Sequence, residues 1–217
     1  ISMKNIIFLG LAGAGKGTQA KILSDFMAIP MVSSGDLFRF HLGNNTELGI
    51  EANKYMSTGA LVPDDITINM ILHRIGEEDC TEGFILDGFP RTLEQAESLQ
   101  KAVNGNISSV IYIEVEEKEL IKRLSDRVVC TSSGCNAILS KSDIKGIDSN
   151  CPICNEISLT QRPDDLPEVV ENRLKTQIPL INQLVDYYKN REILISVDGQ
   201  QNMDLVESEI KNILGLN

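Results

Sequence analysis

No stretch of this 217-residue chain approaches the roughly 18 consecutive apolar residues of a membrane-spanning helix, so no membrane partner is expected. The N-terminus lacks a charged region leading into a long apolar run, so a secretory leader is not expected, and Met3 reads as the natural start. Basic residues are scarce: lysine and arginine number 20 against 31 aspartates and glutamates, a net charge of −11. That balance excludes a protein whose whole surface grips nucleic acid, and it makes any local gathering of arginines informative. No internal repeat or low-complexity tract is present. With five cysteines and no leader, a reducing compartment is expected, the cytoplasm by default. Metal binding is favoured there over disulfides.

The length suits one ample domain with a small insertion. The chain turns on Asn5 to Thr18, read NIIFLGLAGAGKGT. An apolar run gives way to a glycine-rich loop and then to a helical pattern, which is a buried strand, a turn and a helix start. Gly10, Gly15 and Lys16 fit the G-x-x-x-x-G-K spacing of a phosphate-binding loop. Glycines let several backbone N–H groups curl around one anion, the helix adds its positive end, and Lys16 reaches the outer phosphates. Gly17 stands where a magnesium-holding Ser or Thr is usual, and Thr18 comes one later.

Further strands are expected over Ile29–Ser33, Gly83–Gly88, Val110–Val115 and Ile193–Val197. Helices are expected between them: Gly15–Met27, a helix from SSGDLFRF capped by Ser34 or Asp36, Thr46–Met56, and a helix through Ile75 capped by Asp64 or Asp65. Others follow from Thr92 to about Val103, over Glu117–Val129, over Pro167–Lys189 and over Met203–Leu214. Val170, Leu174, Ile178, Ile181, Val185 and Tyr188 share one face of the longest, and Pro179 predicts a kink in it. The alternation means an α/β fold: a five-stranded parallel sheet with helices on both faces. Ligands of such sheets bind beyond the carboxyl ends of the strands, where the phosphate loop and Asp87 both lie.

Four cysteines crowd the segment Cys130 to about Thr160, read as loop-like. Cys130-x4-Cys135, fifteen residues, then Cys151-x2-Cys154 fits a tetrahedral zinc site. The segment between has Ile138, Leu139, Ile144 and Ile147 but no aromatic residue. It cannot bury a core of its own, and a closed structural zinc would staple it; a disulfide pair or free thiols are the alternatives. Cys80 stands alone as a free, partly buried thiol.

Asp87 is placed to hold Mg²⁺ or its waters, and Arg91 in GFPRT offers a planar fork for phosphate oxygens. Among eight arginines, Arg127 and Arg162 flank the cysteine segment, Arg123 lies one helical turn before Arg127, and Arg173 is just beyond. If the segment folds over the phosphate loop, Arg127, Arg162 and Arg173 converge on a transferring group.

These motifs together resemble the adenylate kinases of the long-lid, zinc-containing type. The resemblance runs over residues 3–217, on GLAGAGKGT, SSGDLFR, GALVPDD, GFILDGFPRTLEQA, the four cysteines, QRPDD and VDGQQ. It implies a P-loop NTPase-type fold with the core at 1–32, 63–126 and 163–217, an NMP-binding insertion at 33–62 and a zinc-stapled lid at 127–162. The implied reaction is ATP + AMP ⇌ 2 ADP with Mg²⁺, by a monomer with no nucleic-acid partner, in adenine nucleotide homeostasis. Lys16, Asp87, Arg91, Arg127, Arg162 and Arg173 would carry the chemistry. ATP would meet Gly13, Ala14, Gly15, Lys16, Gly17, Thr18, Arg123, Arg127, Ile138, Leu139 and Gln200. AMP would meet Ser34, Arg39, Ala60, Leu61, Val62, Gly88, Phe89, Pro90, Arg91, Gln95, Arg162 and Arg173. Zinc would sit on Cys130, Cys135, Cys151 and Cys154. The chain departs from the family's usual pattern in Leu11 and Ala12, where a proline is usual, in the four-residue spacing of the first cysteine pair, and in Ser34 where Thr is common. A GTP:AMP phosphotransferase on the same scaffold is the nearest alternative. A GTP-dependent switch would need N-K-x-D, which does not occur. A zinc-ribbon nucleic-acid binder would need a basic surface.

Overall fold

The computed structural model describes residues 4–132, 134–135 and 137–216. The elements run β1 (Lys4–Leu9), α1 (Lys16–Met27), β2 (Met31–Ser33), α2 (Ser34–Gly43), α3 (Glu47–Met56), α4 (Asp64–Ile75), β3 (Gly83–Asp87) and α5 (Leu93–Ala102). Then come β4 (Ser109–Glu114), α6 (Glu117–Asp126), β5 (Arg127–Cys130), β6 (Ile138–Ser140), β7 (Leu159–Thr160), α7 (Pro167–Lys189), β8 (Leu194–Asp198) and α8 (Met203–Ile213). Five strands form one parallel sheet in the order β2-β3-β1-β4-β8. The expected fold class is therefore the one observed.

The sheet is buried on both faces, which is why its strands read as continuous apolar runs. Successive residues of β1 point to opposite sides. Ile6 and Phe8 pack with Ala20 and Leu23 of α1, Leu120 and Leu124 of α6, and Val206 and Ile210 of α8. Ile7 and Leu9 pack with Ile71 of α4, Ala96 and Leu99 of α5, and Leu184 and Tyr188 of α7. Each large apolar side chain buried this way stabilises the fold by about 1.5–3 kcal/mol relative to leaving it in water. Helix α7 contributes to both layers, Val170 and Leu174 to the first, Ile181, Leu184 and Tyr188 to the second. It stays helical through Pro179. Among the described residues no helix is long and apolar enough to cross a membrane.

Three local expectations need correction. Helix α6 ends at Asp126, and Arg127–Cys130 is a strand, because Val128 and Val129 find partners in β6 and β7. The cysteine segment is not loop-like throughout: β6-β5-β7 form a small antiparallel sheet over a cluster of Val128, Cys130, Cys151 and Leu159. Two of those four buried residues are cysteines, in a segment without aromatic side chains. The caps also differ. Ser33, not Ser34 or Asp36, caps α2 by accepting from the Asp36 N–H, and Pro63 stands at the N-cap of α4, which has no side-chain cap.

Candidate active site

The β1–α1 loop is shaped by close approaches that only glycine allows. Gly10 has φ +146°, and a Cβ there would stand 2.7 Å from the Ile113 carbonyl oxygen, a backbone atom that cannot yield. Gly13 has φ +84° and would press a Cβ to 2.9 Å from Leu124 Cγ. So the loop lies tight against β4 and α6, and α1 starts directly after Gly15 with its free N–H groups toward the opening.

That loop forms the floor of a cleft of about 1840 Å³. Gly13, Gly15, Lys16, Gly17 and Thr18 line it, as do Arg39, Ala60, Leu61, Gly88, Pro90 and Arg91. Arg123, Arg127, Ile138, Leu139, Arg162 and Arg173 also line it, and Asp87 reaches it from the end of β3. The β5–β7 unit is folded over the loop: Ile138 Cδ1 and Asp87 Oδ2 lie 3.9 and 3.3 Å from where a Gly17 Cβ would be. The remaining expected site residues lie off the cleft surface. Ala14, Ser34, Val62, Phe89 and Gln95 are buried, and Gln200 is exposed with its N–H on Asp198. Ser34 Oγ donates to the Gly88 carbonyl at 2.7 Å, so it braces the cleft wall.

Positive charge dominates the cleft. Burial pushes the Lys16 ammonium down to about 8; Asp87 opposes this, while Arg91, Arg173 and Arg127 add to it. Burial likewise brings Arg91 to about 10, helped by Arg173, and Arg162 to about 10, helped by Arg39 and Arg127. Cations desolvated together and repelling one another make a site that is incomplete without an anion. Arg162 Nε is buried with no hydrogen-bond partner, and its Nη2 is 3.8 Å from Asp36 Oδ1. Arg39 Nη2 donates to the same oxygen at 2.6 Å. Arg123 instead lies along α6, its Nε donating to Glu119 at 2.9 Å.

Arg127 and Arg173 are held by Asp164 and Asp165, the two acids of QRPDD, whose role no local spacing signals. Asp165 is fully buried. It accepts two bonds from Arg127, at 2.7 and 2.6 Å, and one from Arg173 Nη1 at 3.1 Å. Arg173 also donates to the Asp164 carbonyl at 2.6 Å. Burial works against ionising Asp164, and Arg173, Arg39 and Arg162 overcome it, holding its carboxyl below the usual range. The expected convergence of Arg127, Arg162 and Arg173 thus has a structural cause, a buried carboxylate that ties two of them together. Asp64, expected from the sequence as a helix cap, instead accepts from Thr92 and Gln95, close in sequence to Arg91.

Beside the β6-β5-β7 sheet the four thiols of Cys130, Cys135, Cys151 and Cys154 lie within 4.8 Å of one another. The Cys130–Cys154 and Cys135–Cys151 sulfur pairs are 3.6 and 3.9 Å apart, far beyond a bond length, and all four are free. The cluster can hold a metal ion, and the x4 spacing of the first pair does not prevent it. Cys80 is also free, and buried.

A family model described as adenylate kinase matches residues 8–193. The chain is 45% identical over 213 residues to an adenylate kinase of Lachnospira eligens, covering 97% of this chain and 99% of that one. It is 42% identical over 220 residues to an adenylate kinase of Lactiplantibacillus plantarum, covering 99% of both. An adenylate kinase of Limosilactobacillus reuteri is 41% identical over 214 residues, 97% of this chain and 98% of its own. With a phosphate loop facing a ring of arginines across one cleft, and with this match along the chain, the protein belongs to the adenylate kinase family.

Proposed function

We propose that the chain transfers the terminal phosphate of ATP to AMP, reversibly, giving two ADP. The observation that carries this reading is one cleft lined both by the glycine loop with Lys16 and by five arginines, Arg39, Arg91, Arg127, Arg162 and Arg173. A single triphosphate site would need only the first group. Two anions that must react with each other need both, with cations where charge develops between them. In this reading Gly13 to Thr18, Arg123, Ile138 and Leu139 take ATP. Arg39, Ala60, Leu61, Gly88 and Arg91 take AMP, supported from beneath by Ser34, Val62, Phe89 and Gln95. Gln200 has weaker support, since its side chain is exposed and only its backbone is left to approach adenine. Residues 33–62 would serve as the monophosphate region and 127–162 as the lid, the rest being core.

The donor atoms suit the two metals this reading needs. Asp87, a hard carboxylate on the cleft, would hold Mg²⁺ through its waters; the ion would neutralise phosphate charge. A tetrahedron of Zn–S bonds of about 2.3 Å has sulfur–sulfur edges of about 3.8 Å, so the observed 3.6 and 3.9 Å pairs fit zinc on Cys130, Cys135, Cys151 and Cys154. Zinc there would make the lid one rigid piece. Four reduced cysteines gathered as ligands suit a cytoplasmic setting, and the net charge of −11 supports small-molecule rather than nucleic-acid partners. A monomer is proposed, since one chain supplies both the loop and the arginines.

The test is ADP formation from AMP with ATP or GTP as donor and Mg²⁺ present. ADP produced with ATP at a kcat/KM at least about tenfold above that with GTP supports the reading. Transfer from GTP alone would make the chain a GTP:AMP phosphotransferase, and no transfer from either would remove the reading altogether.

A further inference from the structure

Asp64 is the first residue of helix α4, one past the N-cap Pro63, where a carboxylate ordinarily faces solvent and acts on the helix dipole. Helix α4 has no side-chain cap. Both Asp64 oxygens are instead committed across the structure to the start of α5. Oδ2 accepts from Thr92 Oγ1 at 2.7 Å, and Oδ1 accepts from Gln95 Nε2 at 2.7 Å. Gln95 is 1% exposed, so its amide can find partners only inside the protein. Its Oε1 accepts from the Arg91 backbone N–H at 2.7 Å.

This chain of bonds has only one sense. A carboxylate can only accept, so Asp64 draws the amide nitrogen of Gln95 to itself and leaves the amide oxygen for Arg91. A flipped amide would set oxygen against carboxylate at one end and N–H against N–H at the other. Arg91 is then tied at two points, since its Nε also donates to the Gly88 carbonyl at 2.7 Å. Thr92 Oγ1, while donating to Asp64, accepts from the Gln95 N–H and so caps α5. Asp64 therefore fixes both the first turn of α5 and the residue from which the Arg91 guanidinium reaches into the cleft.

We propose that Asp64 is a positioning residue for Arg91, acting through Gln95 to aim the guanidinium at the phosphate of the acceptor nucleotide. The proposal rests on the reading of Arg91 as a contact of the AMP phosphate. Asp64 also lies two residues beyond Val62, where the expected monophosphate region returns to the core. The relay thus joins that return to Arg91. Lys16, which takes the donor in this reading, donates instead to the Leu11 carbonyl at 2.8 Å.

The experiment measures kcat and the KM of each nucleotide, with Tm, in the full chain and in Asp64→Ala, Asp64→Asn, Arg91→Ala and the Asp64→Ala/Arg91→Ala double variant. Asp64→Ala is expected to raise the KM for AMP about tenfold, which converts to about 1.4 kcal/mol. The KM for ATP should stay within about twofold, because uniform damage to the fold would move both. Asp64→Asn should restore most of the AMP affinity, since its carbonyl still accepts from Gln95 and its amide can donate to Thr92 Oγ1. In the Arg91→Ala background, adding Asp64→Ala should leave the KM for AMP unchanged, because the effect passes through a side chain already removed. Asp64→Ser, too short to reach both partners, carries the same test should the alanine variant not fold. An effect equal with and without Arg91, or equal on both nucleotides, would overturn the relay. So would an unchanged KM for AMP in Asp64→Ala. If Arg91→Ala itself leaves the KM for AMP unchanged, the reading of Arg91 fails and the relay falls with it.

Discussion

Replacing Asp165 by alanine removes the buried carboxylate that holds the cleft arginines Arg127 and Arg173. Asp165 is fully buried, while the side chains of Arg127 and Arg173 are 15% and 11% exposed. Taking one partner from a buried ion pair ordinarily costs about 3–5 kcal/mol, because the charge left behind is uncompensated. Here the arginines border an open cleft and can recover some hydration, so the lower end, about 3 kcal/mol, is expected. For a chain of this size that lowers Tm by about 6–12 °C. Nucleotide phosphates would bring negative charge back to the same arginines. Saturating ADP with Mg²⁺ should therefore raise the Tm of Asp165→Ala by more than it raises that of the unaltered chain. Calorimetry of both proteins with and without nucleotide reads both effects. A Tm loss under about 2 °C, or equal nucleotide shifts in both proteins, would refute this account of how the arginines are held.

Three other expectations follow from the same geometry. If the four thiols hold zinc as proposed, Cys151→Ser should lower the zinc content read by elemental analysis and lower Tm, and unchanged values for both would remove the structural metal. Lys16 has a pKa of about 8, below its ordinary 10.5, so the folded protein holds fewer protons than the unfolded chain between these values, and stability rises with pH across that window. Phosphates placed on Lys16 should raise its pKa, so ATP binding at about pH 8.5 should take up a fraction of a proton, read by titration calorimetry in buffers of different ionisation enthalpy; no uptake would contradict it. Gly59→Ala would force a Cβ to 2.6 Å from Arg173 Cγ and 2.9 Å from the Val169 carbonyl at a φ of +77°. It should lower both Tm and transfer rate, and wild-type values for both would show that the contact yields freely.

What was legible in the sequence had a local signature. The strands of the parallel sheet are runs with apolar side chains on both faces, and the β1–α1 loop carries its glycines at fixed spacing. The cysteines likewise announce themselves by interval. What was not legible depends on partners far along the chain. Arg127 and Asp165 are 38 residues apart, and nothing in either neighbourhood says they meet. Strands β5 to β7 are too short, at two to four residues, to show an alternation, and their pairing is set by the turn that the cysteines close. Asp64 reads as a helix cap from its place at the start of the helical pattern; only the approach of Thr92 and Gln95 redirects it. Ser34, Val62 and Gln95, which the resemblance assigns to AMP, are buried in this structure, a placement that depends on which side of the backbone each side chain takes.

The central claim, that the arginines facing the phosphate loop serve transfer between two nucleotides, is tested most directly by ADP formation from ATP and AMP in the unaltered chain and in Arg91→Ala. Loss of one arginine that compensates charge in phosphoryl transfer should cut the rate by about 10³ with the fold intact by calorimetry. A folded Arg91→Ala variant that makes ADP within about threefold of the unaltered rate would contradict the assignment, since so small a change is under about 1 kcal/mol of barrier.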